Sequence, residues 1–488
     1  MKFKYSSFLI IYSFLFCLFI TPGFGQKTAQ SVIEDGLLRR YRFETMEPET
    51  FNIHDRMAHY RVPGVSIAIL KDGALVWAKG YGTANMDTGT DVDEQTLFQA
   101  GSISKPLAAL AALKLWEDGT VDLDTDVNQY LDGWKVPSNR YTKDEKVTLR
   151  RLLTHTAGTT VHGFPGYKQD EDFPSDIEVL DGKGNTDKVR VDTIPGSRWR
   201  YSGGGYTIME KVVEDVSGIP FEAYMETEIL RPMGLWNSTY QQPLEGKWTE
   251  NASAAYDSKG EIIEGYWHNY PEQAAAGLWT TPSELVTYCR EIQEILAGKD
   301  NGILKKETVE AMLTKHQNDW GLGPALQWEG DSLVFRHGGK NAGFSNTMVA
   351  FARKGDAAVV MTNADNGTRL MGEIMRSISH AYNWGISNQD VIEQADVDIE
   401  SLVPFAGRYK YIEKVPDIGD YYIEINLQDG KFMVLDEPYE TNIRFYPVAP
   451  LELIDLDTGD RIKLEQNQES GKLSFMWNGR FLFEKVME

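Results

Sequence analysis

Cysteine is nearly missing from this chain: Cys17 and Cys289 are the only two in 488 residues. A disulfide-stapled scaffold is therefore excluded, and the fold must hold itself together by packing a core. Positive charge is also scarce. Lys and Arg total 49 against 72 Asp and Glu, a formal net charge of −23, which repels a phosphate backbone and excludes nucleic acid as a partner. Long apolar runs are confined to the first twenty or so residues, so a multi-span membrane protein is excluded too. The eight histidines form no HExxH or other close pair, so neither a zinc centre nor any cofactor is implied. Internal repeats and low-complexity tracts are absent.

The N-terminus has its own pattern. Lys2 and Lys4 precede an apolar run from Phe8 to Ile20, followed by Pro22-Gly23 and the small Gly25, the order of an export signal cleaved near Gly25. An uncleaved anchor is the alternative, but the run is shorter than the ~20 residues a membrane span takes. Cys17 follows bulky Phe16 and makes a poor lipid-attachment site. The expected product is an exported chain, periplasmic or secreted, without a stable transmembrane anchor. Its remaining Cys289, beside Tyr288, reads as a buried small hydrophobe.

With 42% hydrophobic and 25% charged residues the rest is ordinary globular protein, long enough for two or three domains at roughly 150 residues each. "GVSIAIL" and "ALVWAKGYG" flank Asp72-Gly73, which predicts a β-hairpin. Helical patterning dominates from about 97 to 240, strongest over Ser102 to Glu117. The interval 163–192 has Gly, Pro and charge without periodicity and predicts a long surface loop. Short strands are expected at Val334–Arg336, Asn346–Phe351 and Ala357–Thr362, with helices over Ser283–Leu296 and Leu370–Tyr382. Strands at both ends of a helical middle predict one α+β domain over 26–385, after a signal segment at 1–25. Residues 386–401 are acidic and weakly periodic, as a linker is. Beyond them Ile423, Ile425 and Leu427 alternate with polar residues before Asp429-Gly430. The same pattern recurs at Leu473, Phe475 and Trp477 before Asn478-Gly479. A small antiparallel β-barrel or β-sandwich over 402–488 follows.

Three clusters carry chemistry. "SISKPLAALAALKLW" is apolar almost all round and so belongs in the interior, yet its start holds Ser102 and Lys105, one helical turn apart on one face. Pro106 fits the first turn, where amide donors lack helical partners. Burial disfavours the charged amine and lowers its pKa, which is what a base needs to activate a hydroxyl nucleophile. An SxxK spacing alone arises by chance in a chain of this size, so the expected burial is what raises its weight. In "PGSRWRYSGGGY", Tyr201 precedes Gly203 to Gly205, and its phenol could share a proton with Lys105; a purely structural turn is the alternative. In "FRHGGKNAGFSNTMVAF", His337 ends an apolar run, and Gly338 and Gly339 leave a strand edge bare, presenting N–H groups that suit an oxyanion site. His337 alone would more often be a packed or hydrogen-bonded histidine.

In this order and spacing the clusters resemble the serine β-lactamase and penicillin-binding protein superfamily, whose SxxK element is a known motif. The branch is the one related to class C β-lactamases, with D-alanyl-D-alanine carboxypeptidases, D-aminopeptidases and esterases. "LFQAGSISK", "DGTVDLDTDV", "LRRLLTHTAG", "AAAGLWTTPSEL" and "WGLG" support the resemblance, which covers about 35–385. It implies a central antiparallel sheet flanked by helices, a helical subdomain, and the site between them. It further implies Ser102 as acylated nucleophile, Lys105 and Tyr201 as coupled general base and acid, and the N–H groups of Ser102 and Lys340 as the oxyanion hole. Two departures stand out. Gly203 replaces a common Asn of the second motif, and His337-Gly338-Gly339 replaces Lys-Thr-Gly, removing a cation that would pair with a substrate carboxylate. The C-terminal β domain resembles the lipocalin-like appendages of this family.

The expectation is a two-step serine hydrolase acting on a small-molecule ester, amide or peptide. Esters and D-amino-acid-containing peptides are favoured over β-lactams. A receptor that kept the fold but lost turnover is the rival from another class.

Overall fold

The strands on either side of Asp72-Gly73, Gly64–Lys71 and Ala74–Asn85, pair antiparallel. Both turn residues have positive φ, 51° and 80°, so the two-residue turn twists with its strands. This computed structural model describes residues 28–486 apart from 415–418, 429–431 and 438–442. The expected export signal, with Cys17, and the expected Asp429-Gly430 turn lie outside the described residues.

The hairpin forms one half of a seven-stranded antiparallel sheet. In spatial order its strands are Thr90–Asp91, Ala74–Asn85, Gly64–Lys71, Ala357–Thr362, Phe344–Phe351, Val334–Asn341 and Ala325–Gln327. Strands from both ends of the domain thus meet at the pair Gly64–Lys71 and Ala357–Thr362. Alternate residues serve different cores: Ala68, Leu70, Val359, Met361 and Met348 face the helices Ser104–Glu117 and Pro282–Leu296. Ile67, Ile69, Ala358, Val360 and Val349 pack with the helices Ile53–Tyr60 and Gly367–Ala381. A sheet covered on both faces explains why "GVSIAIL" reads as a continuous apolar run rather than an alternation. The first core continues into a helical subdomain built around Gly203–Ser217.

Several boundaries differ from expectation for local reasons. Residues 163–192 are not loop throughout: Asp176–Leu180 is a helix held by a Ser175–Glu178 capping box. The strand expected to end at Arg336 runs on to Asn341 because Phe344–Phe351 pairs with its whole length. Within 386–401, Asp390–Ile392 forms a strand parallel to Tyr41–Phe43. Cys289 is a free, fully buried thiol.

The C-terminal part is a closed barrel of eight antiparallel strands between Gly407 and Lys485. Its interior is filled with side chains: Phe475 stacks on Phe483 with centroids 4.8 Å apart and meets Tyr409 edge-on at 5.0 Å. Leu402 and Phe405 pack against the same cluster.

Candidate active site

Ser102 does not open the α-helix. It stands in the single 3-10 turn Gly101–Ile103 just before the helix Ser104–Glu117. Gly101 has φ +55°, and a Cβ there would lie 2.6 Å from the Lys340 amide nitrogen; one on Gly339 would lie 1.9 Å from the Ala100 oxygen. Two side-chain-free positions therefore let the turn touch the strand Val334–Asn341. Ala325–Gln327 pairs with that strand only as far as Arg336, leaving His337 to Lys340 with a neighbour on one side alone.

Lys105 is buried among the apolar residues of its helix. Its Nζ lies 3.0 Å from Ser102 Oγ and donates to the Ala275 carbonyl at 2.7 Å. No carboxylate pairs with it among the described residues, and desolvation pulls its pKa down to about 7. The Ala275 carbonyl is held in turn by a clamp. Glu210, fully buried on the Gly203–Ser217 helix, accepts N–H bonds from Gln273 at 3.3 Å and Ala274 at 2.8 Å. Burial pushes the Glu210 carboxyl well above its ordinary range.

The Tyr201 phenol faces the same cleft as Ser102, whose hydroxyl draws the phenol's pKa down while the larger effect of burial raises it. Lys105 Nζ lies 5.0 Å from the Tyr201 ring centre. The three side chains expected to cooperate therefore share one location. Their states are divided: the amine is poised to accept a proton near neutrality, and the phenol holds its own.

His337 lies on the same wall and is buried. Its Nδ1–H donates to the Gly338 carbonyl at 2.6 Å, which leaves a lone pair on Nε2 with no partner. Burial and the nearby Lys105 bring its pKa down to about 3, so it is a neutral imidazole. Gly203 begins its helix with Phe164 pressed against it: a Cβ there would lie 2.8 Å from Phe164 Cε2. The Lys340 side chain is 61% exposed and sits 3.8 Å from Asp365 at the rim.

Sequence reasoning singled out neither His155 nor the aromatic wall. The His155 ring lies 4.2 Å from that of Tyr201, and its Nδ1 accepts the Ser202 N–H at 3.1 Å. Burial and Lys105 lower its pKa. Trp320 stands 5.8 Å from Tyr201 and 5.6 Å from His337. Both residues occur in strings that carried the resemblance, "LRRLLTHTAG" and "WGLG", but no local pattern marks either as facing the site. These walls and the open edge at His337–Lys340 enclose a cleft of about 700 Å³ onto which Ser102, Lys105 and Tyr201 face. The arrangement can take a proton from a hydroxyl, present strand-edge amides to a carbonyl oxygen, and return a proton to a departing atom.

Comparisons with known proteins match most of the chain to one family. Residues 52–381 match the Beta-lactamase family. The chain is similar to Protein flp of Staphylococcus aureus (strain MRSA252), 26% identical over 46% of this chain and 42% of that protein; it thus spans under half of that relative's length. It is also similar to the putative penicillin-binding protein PbpX of Bacillus subtilis (strain 168), 25% identical over 64% of this chain and 74% of the relative. The octameric penicillin-binding protein homologue from Pyrococcus abyssi shares the fold, with a TM-score of 0.58 at 23% identity over 89% of this chain and 98% of the other.

Proposed function

The chain belongs to the beta-lactamase family, and on that premise we propose that it is an exported serine hydrolase that forms an acyl-enzyme on Ser102 and acts on esters or D-amino-acid-containing peptides. The observation that carries this reading is Lys105 Nζ at 3.0 Å from Ser102 Oγ, buried and without a carboxylate partner.

In acylation, neutral Lys105 takes the Ser102 proton as Oγ attacks the substrate carbonyl. The N–H groups of Ser102 and Lys340 receive the developing oxyanion. Tyr201, a protonated phenol beside Ser102, supplies the proton to the departing oxygen or nitrogen and is reprotonated from Lys105. Water then attacks the acyl-enzyme, with the same pair handling its proton. His337, Gly338 and Gly339 line the path along the strand edge, whereas Gly203, expected there from the sequence, lies behind Phe164 and acts only by giving that ring room.

A β-lactamase reading has less support. Gly203 brings no side-chain amide, and a neutral His337 brings no cation for a β-lactam carboxylate. The division into an export segment at 1–25, a hydrolase domain at 26–385, a linker at 386–401 and an appended barrel at 402–488 belongs to the same proposal.

The test is hydrolysis of p-nitrophenyl esters, D-alanyl peptides and a chromogenic cephalosporin by one preparation, alongside Ser102→Ala. Ester or D-peptide turnover should exceed cephalosporin turnover and vanish in the variant. Stoichiometric labelling of Ser102 by a serine-directed probe with no turnover at all would identify a receptor instead.

A further inference from the structure

Resting on the hydrolase reading above, we infer that the substrate brings no carboxylate into the cleft and that its departing portion is aromatic or otherwise apolar. The cleft is poor in charge. Among the described residues no carboxylate and no guanidinium lines it, and its only lysines are Lys105 and Lys340. Lys105 is occupied, bonded to Ser102 Oγ and the Ala275 carbonyl. Lys340 extends outward to Asp365 at the rim. A substrate carboxylate entering here loses its water and gains no counter-ion, a desolvation that nothing offsets. A substrate cation is a different case, since the aromatic rings of the cleft can receive it on their faces.

His337 makes the discrimination active rather than passive. With Nδ1–H committed to the Gly338 carbonyl, the buried Nε2 faces its surroundings as an acceptor without a partner. An acceptor repels a carboxylate oxygen and welcomes an amide N–H or a hydroxyl. A lysine at this position would do the reverse.

The location of the phenol decides which part of the substrate is apolar. Tyr201 supplies the proton to the departing atom, so the departing portion lies on the Tyr201 side of Ser102. That side is aromatic. Trp199 and Trp320 lie 6.5 Å and 5.8 Å from Tyr201, and Phe164 fills the space beside Gly203. Flat rings at these spacings receive a planar or apolar group edge-on or face-on. The acyl portion runs the other way, along the edge from Gly338 to Lys340, near the smaller polar Asn346 and Thr347.

The test compares three acetates at pH 8, above the ordinary histidine range: benzyl acetate, its 4-carboxylate derivative and ethyl acetate. Benzyl acetate should have the highest kcat/KM, and the carboxylate should fall by about tenfold or more, the loss expected for an unpaired charge in a desolvated site. Trp320→Ala and Phe164→Ala should each lose about tenfold more on benzyl acetate than on ethyl acetate. A carboxylate ester hydrolysed as well as the parent overturns the inference. A readout independent of turnover uses Ser102→Ala, titrated by ligand-observed NMR with N-benzylacetamide and 4-(acetamidomethyl)benzoate. Preference for the neutral amide supports the inference even if the wild type hydrolyses no ester, in which case the hydrolase reading alone fails. Equal binding of the two overturns the inference while leaving turnover data free to uphold the hydrolase reading.

Discussion

At the scale of single residues, Lys105 ties catalysis and stability to one proton. Only the free amine can accept the Ser102 proton, so kcat/KM should rise with pH through about 7 and level off above it. Stability follows the same group. Its folded pKa, about 7, lies below the ordinary lysine value of 10.5, so between these pH values the unfolded chain binds more protons. Stability therefore increases with pH across that window, and the full cost of burying the ammonium is present below it. Lys105→Met should abolish turnover and flatten the dependence of the unfolding free energy on pH between 7 and 10; a slope unchanged in urea titrations would refute the assignment. A second expectation concerns Gly203. Gly203→Asn alone should gain no activity on a cephalosporin, because the Cβ would meet Phe164 Cε2 at 2.8 Å. Only with Phe164→Ala does the amide find room, and cephalosporin assays of the single and double variants separate the two cases. Ser102, Lys105 and Tyr201 were legible in the sequence because each sits in a locally unusual string: a lysine in an apolar helix, a tyrosine before three glycines. Phe164, Trp320 and His155 were not, since only the folded chain brings them from separate loops to one phenol.

At the scale of elements, the base is only as well placed as the short turn Gln273–Ala276 that supplies the Ala275 carbonyl. That turn is anchored by Glu210, through the amides of Gln273 and Ala274, and by Asn341, whose Nδ2 donates to the Ala276 carbonyl at 3.1 Å. Removing the Glu210 carboxyl leaves the buried Ala274 N–H unpaired, at about 1–3 kcal/mol, while the Gln273 N–H keeps the Pro271 carbonyl at 2.9 Å. Glu210→Ala should lower the melting temperature and displace the pH midpoint of kcat/KM away from about 7, whereas Glu210→Gln, which keeps an acceptor oxygen, should restore most of both. Loss of stability with an unmoved midpoint would reduce Glu210 to a purely structural residue. The sequence could not announce this clamp: a glutamate in "YTIMEKVVEDV" looks like one more solvated position, and its burial against Gln273 is decided by long-range packing. Patterns did locate the elements that depend on local chemistry, the Asp72-Gly73 hairpin and the alternating barrel strands. They failed where tertiary pairing extends or creates a strand, at His337–Asn341 and at Asp390–Ile392.

At the scale of the whole molecule, the barrel is fastened to the beta-lactamase-family domain by a small apolar seam and a buried charge cluster. Phe43 packs with Ile454 and Leu456, and the Tyr41 amide donates to the Leu456 carbonyl at 2.9 Å. Beside this seam Asp457, on a barrel turn, pairs with Arg56 at 2.8 Å and Arg39 at 2.9 Å, while Arg56 also binds the buried Glu373 at 2.5 Å and Tyr60 at 2.6 Å. Against the upward push of burial, the His59 hydrogen bond and the two arginines hold Asp457 below the usual carboxylate range, so its contribution is complete above that range and lost on acidification below it. Removing Asp457 leaves Arg56 its bond to Glu373 and Arg39 its pair with Glu49 at 3.2 Å, so the cost is that of lost charged hydrogen bonds, about 2 kcal/mol, rather than that of a stranded buried charge. Asp457→Asn should therefore destabilise the protein by about that amount and let the barrel melt as a separate, earlier calorimetric transition. Arg56→Met, which strands Glu373 as well, should be more severe. None of these residues lines the cleft, so the kcat/KM of Asp457→Asn below its first transition should match the wild type. A single unshifted transition would mean that the apolar seam around Phe43 and Leu456 holds the barrel without the ion pairs. A fall in kcat/KM at full folding would instead make barrel docking part of the hydrolase site's own geometry.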